Sequence, residues 1–222
     1  MLPGLRRWHV TVGFIAAAAI AGVFILHAWT PGDAGRSAPD PVAATSGRVT
    51  FGGPFTLVDH TGRTVTERDF LGKYTLVFFG FTYCPDVCPT TLQDVATILD
   101  RLGPLAERVR PLFITIDPER DSPAVMASYV QTFHPRILGL TGTPEQVRAA
   151  AKAYKVFYRK VDDGRGGYLM EHTAVLFLTD PEGRHLEILP REMPSSKMAE
   201  LVRRHVMGAV EGTSEPARKE GS

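Results

Sequence analysis

The chain has 222 residues, 44% of them hydrophobic and 22% charged, enough for one ordinary domain with appendages and a real core. That excludes wholesale disorder and collagen-like repetition. Lys and Arg total 25 against 24 Asp and Glu, a net charge of +1, so there is no overall electrostatic footprint for nucleic acid and no nucleic-acid partner is expected. The only two cysteines, Cys84 and Cys88, exclude a multi-bridge disulfide scaffold.

Residues 10–26 carry no charge, and the apolar run extended to Trp29 gives residues 10–29. As a helix that stretch is about 30 Å long, the thickness of a hydrocarbon core. Arg6 and Arg7 precede it, and Trp8 and Trp29 stand where interfacial aromatics belong. The positive-inside rule keeps residues 1–9 in the cytoplasm and sends the rest across, to the periplasmic side of a cell inner membrane. A cleaved signal peptide is the competing reading. The uncleaved anchor is preferred because Leu26-His27-Ala28 is a poor small-x-small cleavage site. Two adjacent arginines are weak evidence for a twin-arginine signal. Residues 30–46, rich in Pro, Ala, Gly and Ser, read as a flexible linker. One domain, 47–210, follows, and 211–222 is a polar, disordered tail.

Within the domain, strands are expected at 55–58 and 64–66 around the turn Asp59-His60-Thr61-Gly62, and at 74–81, an almost continuous apolar run that marks a strand buried on both faces. A helix follows over 89–108, with Leu92, Val95, Ile98, Leu99 and Leu102 at helical spacing. Next come a strand at 111–116, a helix opened by Ser122-Pro123, a strand at 137–140, and a helix started by Thr143 and Gln146 at capping-box spacing. Strands at 156–161 and 173–178 flank a Gly-rich turn at 164–167. A hairpin through Asp180-Pro181-Glu182-Gly183 leads to a strand at 185–189, and a last helix covers 195–207. The order β-β-β-α-β-α-β-α-β-β-β-α predicts an α/β fold, a mixed central sheet with helices on both faces.

The cysteines lie where the buried strand meets its helix, in Phe81-Thr82-Tyr83-Cys84-Pro85-Asp86-Val87-Cys88-Pro89. Ligands bind at the carboxyl ends of strands in open α/β sheets, and a helix N-terminus favours thiolate. Positions i and i+4 share one helix face, so both sulfurs can point the same way. A structural disulfide is the bland alternative, but so short a loop stabilises little. Two adjacent thiolates select soft or borderline metals, and a firm mononuclear site needs a third ligand. The candidate is His172, just ahead of the strand at 173–178; if that strand is antiparallel to the one ending at the cysteines, its start lies at their edge. A histidine at a strand start is otherwise usually solvated or capping. A Cys2His set suits Cu(I), and its imidazole also suits Cu(II).

Several segments in order resemble the Sco (SenC) family, copper chaperones of cytochrome c oxidase assembly. They are Gly52-Gly53-Pro54-Phe55-Thr56-Leu57 with Asp59-His60-Thr61-Gly62, then Gly80 to Pro89 around the cysteines, Thr115-Ile116-Asp117-Pro118-Glu119-Arg120-Asp121, and Glu171-His172-Thr173, within about residues 50–207. The resemblance implies a thioredoxin-like fold behind a transmembrane helix, and copper held by Cys84, Cys88 and His172. It implies delivery to the binuclear copper centre of an oxidase subunit, with other periplasmic copper chaperones or thioredoxin-like reductants as further partners. Glu171 departs from it, since many members carry Asp there.

Asp86, Asp117 and Asp121 read as turn and cap residues, or as an acidic rim that steers a partner. Met170 reads as packing rather than a thioether ligand. His9, His27, His60, His134, His185 and His205 make no metal spacing with the cysteines. The rival function is a thiol–disulfide oxidoreductase using Cys84 and Cys88 as a redox pair and keeping the oxidase copper-site cysteines reduced. Against it stand the Cys-x-x-x-Cys spacing and the absence of a proline before Thr173. A copper or redox sensor is a third class.

Overall fold

The structure, a computed structural model, describes residues 51–212. The expected anchor, linker and most of the tail, with His9 and His27, lie outside the described residues. Among the described residues, no helix is long and apolar enough to cross a membrane.

Among the described residues, nine strands and four α-helices alternate as expected at the start and differ at one place near the end. β1 (Thr56–Asp59) and β2 (Thr64–Thr66) form a hairpin, followed by a 3-10 turn at Glu67–Phe70 and β3 (Tyr74–Gly80). Then come α1 (Val87–Leu102), a 3-10 segment Gly103–Arg108, β4 (Val109–Thr115), α2 (Pro123–Gln131), β5 (Leu138–Thr141) and α3 (Pro144–Ala153). β6 (Tyr158–Asp162), β7 (Tyr168–His172), β8 (Val175–Thr179), β9 (His185–Pro190) and α4 (Ser195–Gly212) complete the fold. Seven strands form one sheet in the order β2-β1-β5-β4-β3-β8-β9, while β6 and β7 pair only with each other.

β3 sits inside that sheet, and all seven of its residues are buried, as a two-sided apolar run requires. It runs parallel to β4 and antiparallel to β8. The parallel steps β3–α1–β4 and β4–α2–β5 move the same way across the sheet. Right-handed crossovers therefore place α1 and α2 on one face. Ring contacts follow suit: Phe78 stacks on Phe113 at 5.9 Å, and Phe113 meets Tyr129 of α2 at 5.6 Å. α4 joins that face, where its His205 carbonyl accepts from the Tyr74 hydroxyl at 2.9 Å. Tyr154, just past α3, covers the opposite face against Phe79 and Phe177. The mixed sheet with helices on both faces is the one expected and fits a thioredoxin-like arrangement.

Local signals are realised in detail. The Ser122 side chain accepts from the Val125 amide, and Thr143 and Gln146 form a reciprocal capping box. Three expectations need correction. The helix predicted over 89–108 begins at Val87 and stops at Leu102, because Gly103 takes a positive φ of 58° and Pro104 cannot donate to a continuing helix. An unforeseen strand, β7, occupies 168–172, so the Gly-rich turn joins β6 to β7 and His172 ends a strand of its own. β8 starts only at Val175. β7 escaped notice because Tyr168, Leu169, Glu171 and His172 are all partly or fully exposed, and the hairpin has no apolar face of the usual kind.

Candidate metal centre

β3 and β4 end level at one edge of the sheet, Gly80 opposite Thr115. β8, antiparallel to β3, begins at that edge, with Leu176 opposite Phe78. The segment after β3 and the hairpin before β8 therefore converge. The first carries the cysteines and the second His172.

Cys84 is not in the helix, as i,i+4 spacing on a helical face had implied. It precedes α1 in a loop anchored by its amide on the Phe81 carbonyl at 3.3 Å. Its sulfur instead accepts the Cys88 amide at 3.4 Å, filling the place of a helix cap that the Asp86 side chain does not fill. Two routes thus bring the sulfurs together: chain reversal in the loop and the need of a free helix-end N–H for an acceptor. Both cysteines are free thiols, Cys84 half-buried and Cys88 fully buried. The Cys88 thiol's hydrogen bond pulls Cys84 down to about 3, outweighing the opposing cost of burial. The same bond, with burial, pushes Cys88 well up. Cys84 is therefore the sulfur of the pair that ionises first.

Gly80 makes room for that inner sulfur. A Cβ there would lie 2.7 Å from Cys88 Sγ and 2.8 Å from the Phe113 ring, closer than atoms pack. No other residue allows the thiol to rest on the sheet.

His172 presents its ring edge-on to Phe81 and Phe78, at 6.0 and 6.2 Å. Its Nδ1 lies 3.0 Å from the Thr173 carbonyl. A carbonyl only accepts, so Nδ1 carries the proton and Nε2 keeps a free lone pair. That Nε2 is 3.8 Å from Cys88 Sγ. An ion at about 2.3 Å from sulfur and about 2.0 Å from nitrogen, with a trigonal angle, would separate the two by about 3.7 Å. The Cys88–His172 pair thus has ligand spacing. The full set is not closed: among the described residues, no three His, Cys, Asp or Glu side chains are gathered closely enough to hold an ion as they stand. Glu171, beside the histidine, is engaged in an exposed ion pair with Arg159 at 2.6 Å.

The acidic rim is overturned for two of its three members. Asp117 and Asp121 are 1% and 0% exposed, so neither faces a partner. Asp121 accepts from the Thr82 amide and hydroxyl and from the Thr115 hydroxyl at 3.1, 2.5 and 2.6 Å, tying the cysteine loop to β4. Burial pushes its carboxyl above the ordinary range. Asp117 accepts from Arg120 Nε and, at 2.9 Å, from the Tyr168 hydroxyl of β7. Asp86 alone is exposed, and accepts from Thr90 at 3.4 Å. Met170 is buried in the core, as expected. His60 is structural: its Nδ1 accepts the Gly139 amide at 3.0 Å and extends the β1–β5 pairing. Sequence reading missed Thr82, Thr115, Arg120 and Tyr168, whose partners are distant in the chain. A cavity of about 270 Å³ lined by Phe55, Phe70, Thr75, Tyr154 and Thr179 lies toward the other end of β3, away from the sulfurs.

Comparison with known proteins converges on one family. The SCO1/SenC profile matches residues 43–207. The chain is 40% identical over 167 residues to Protein sco1 of Schizosaccharomyces pombe, covering 73% of this chain and 64% of that one. Against SCO1 of Saccharomyces cerevisiae it is 39% identical over 177 residues, covering 78% and 60%. The chain thus spans less than two thirds of the length of these relatives. The structure of Bradyrhizobium japonicum ScoI with copper bound matches with a TM-score of 0.65 at 40% identity, covering 69% of this chain and 98% of that one. Yeast Sco1 with copper bound matches with a TM-score of 0.66 at 38% identity, covering 76% and 96%.

Proposed function

The chain belongs to the SCO1/SenC family, and from that premise we propose that it is a membrane-anchored copper metallochaperone. Cys84, Cys88 and His172 take one copper ion and help deliver it to the binuclear copper centre of cytochrome c oxidase. The observation that carries this reading is the 3.8 Å approach of Cys88 Sγ to a His172 Nε2 whose lone pair is left free by the Nδ1 hydrogen bond. The copper-bound structures of similar chains support the choice of metal, as does a donor set of two thiolates and an imidazole. Residues 10–29 anchor the chain in the inner membrane, with the domain on the periplasmic side.

The asymmetry of the sulfurs gives the transfer its order. Cys84, half-buried and ionised, is the ligand that swings in to close the set and the first that an incoming thiolate of the oxidase subunit displaces. Cys88, seated on the sheet, and His172, on its hairpin, hold the ion until the second exchange. No electron moves in these steps; one sulfur–copper bond forms as another breaks.

The same asymmetry favours a second reading, a thiol–disulfide oxidoreductase. The Cys84 thiolate would attack a target disulfide, and Cys88, losing its proton, would resolve the mixed disulfide. Two electrons pass to the target together with the Cys88 proton, the second target sulfur takes its proton from water, and Cys84–Cys88 is left oxidised.

A cell that depends on this chain for oxidase assembly separates the two. The Cys84→Ser variant should leave the oxidase subunit without its copper centre even when an added reductant keeps that subunit's cysteines reduced. Restoration of the copper centre by reductant alone would favour the oxidoreductase.

A further inference from the structure

The hairpin β6–β7 bears His172 yet shares no backbone ladder with the main sheet. A lone two-stranded hairpin is marginally stable, so something must hold it at the cysteine edge. At the His172 end the hairpin's own ladder runs on by one hydrogen bond, from the Thr173 amide to the Phe157 carbonyl at 2.9 Å, and the chain then passes directly into β8. At the other end the contacts gather on Tyr168, and their centre is Arg120, from the turn after β4.

The Arg120 guanidinium lies 3.8 Å from the Tyr168 ring centre and 4.9 Å from that of Tyr83, the neighbour of Cys84. Its Nη1 donates to the Tyr168 carbonyl at 3.0 Å, and its Nε to Asp117, which also accepts the Tyr168 hydroxyl. Lys160, paired with Glu119 at 2.6 Å, sits 4.5 Å from the Tyr168 ring. One planar cation thus touches both ligand-bearing segments, with the cysteine loop through Tyr83 and the histidine hairpin through Tyr168. Its Nη2 is buried with no partner. A methionine could fill the same space without that cost, so packing alone does not account for an arginine here. The planar fork and stacking faces are what a lysine lacks.

We propose that Arg120 is a positioning residue, a clasp that sets the approach of His172 to the cysteine pair and so governs the hold on Cu(II). The proposal rests on the copper-ligand reading above. Cu(II) needs the imidazole nitrogen, whereas Cu(I) is served by two thiolates. Loosening the Tyr168 end lets the hairpin drift and reduces the time Nε2 spends within reach of Cys88, leaving the sulfurs where the sheet and Asp121 hold them.

The test is a double-mutant cycle on the full chain, read by Cu(II) and Cu(I) competition against chelators of known affinity. Arg120→Ala should weaken Cu(II) about tenfold or more, leave Cu(I) within about threefold, and add nothing to His172→Ala. Tyr168→Phe, which keeps the ring and removes one hydroxyl, should weaken Cu(II) less and guards against loss of the fold. Equal losses from Arg120→Ala with and without His172, or no loss of Cu(II), would overturn the clasp. If His172→Ala itself leaves Cu(II) binding intact, the ligand set fails first, and the clasp with it.

Discussion

A His172→Ala variant is expected to lose the visible thiolate-to-Cu(II) absorption and to fail in oxidase assembly, while its cysteines still cycle between dithiol and disulfide. In the proposed site His172 would supply the nitrogen donor, with Nε2 at 3.8 Å from Cys88 Sγ and its tautomer set by the Thr173 carbonyl. Removing it leaves two sulfurs. That is an adequate, weakened site for the soft Cu(I) ion and a poor one for Cu(II), which prefers nitrogen in its set. The dithiol chemistry needs only Cys84 and Cys88, whose contact runs through the Cys88 amide. Loss of a first ligand exceeds the 10–100-fold typical of losing a supporting partner. Absorption titration beside a thiol assay measures both. A variant with native Cu(II) spectra and full oxidase assembly would remove His172 from the site and put the oxidoreductase reading ahead.

Copper binding near pH 8 should draw about one proton per ion from the thiol pair rather than two. Cys84 is drawn down to about 3 by the Cys88 hydrogen bond, so it is already a thiolate. Cys88 is pushed up by the same bond and by burial, so it enters as a thiol and must give up its proton to become a ligand. The sign follows: lowering the pH protonates nothing further on Cys84 until about 3 but opposes the loss from Cys88. Affinity therefore rises about tenfold per pH unit across the neutral range. Calorimetry in buffers of different ionisation enthalpy counts the proton. A count of two would mean that the thiols are equivalent, and the ordered exchange that starts at Cys84 would lose its basis.

What could be read from the sequence was set by local physics. The run from Tyr74 to Gly80 is buried on both faces and looks it, and the cysteines sit at its carboxyl end. Thr143 with Gln146, and Ser122 with Pro123, start helices by short-range hydrogen bonds visible in four residues. The antiparallel β8 brought His172 to the sulfurs, as the placement of that strand implied. Two of the failures were tertiary. β7 carries no alternation because its hairpin stands off the sheet. Asp117 and Asp121 have the look of exposed turn acids, but Thr82, Thr115, Arg120 and Tyr168 fold over them and bury them. The break of α1 at Gly103-Pro104 was local and legible, and the longer apolar pattern masked it.

Metal analysis of the chain purified with its thiols reduced tests the central claim most directly. It should carry one copper per chain, with none on the Cys84→Ser/Cys88→Ser double variant, because the proposed site takes its sulfur ligands from the only two cysteines in the sequence. Equal copper on the double variant and the parent chain would contradict the claim.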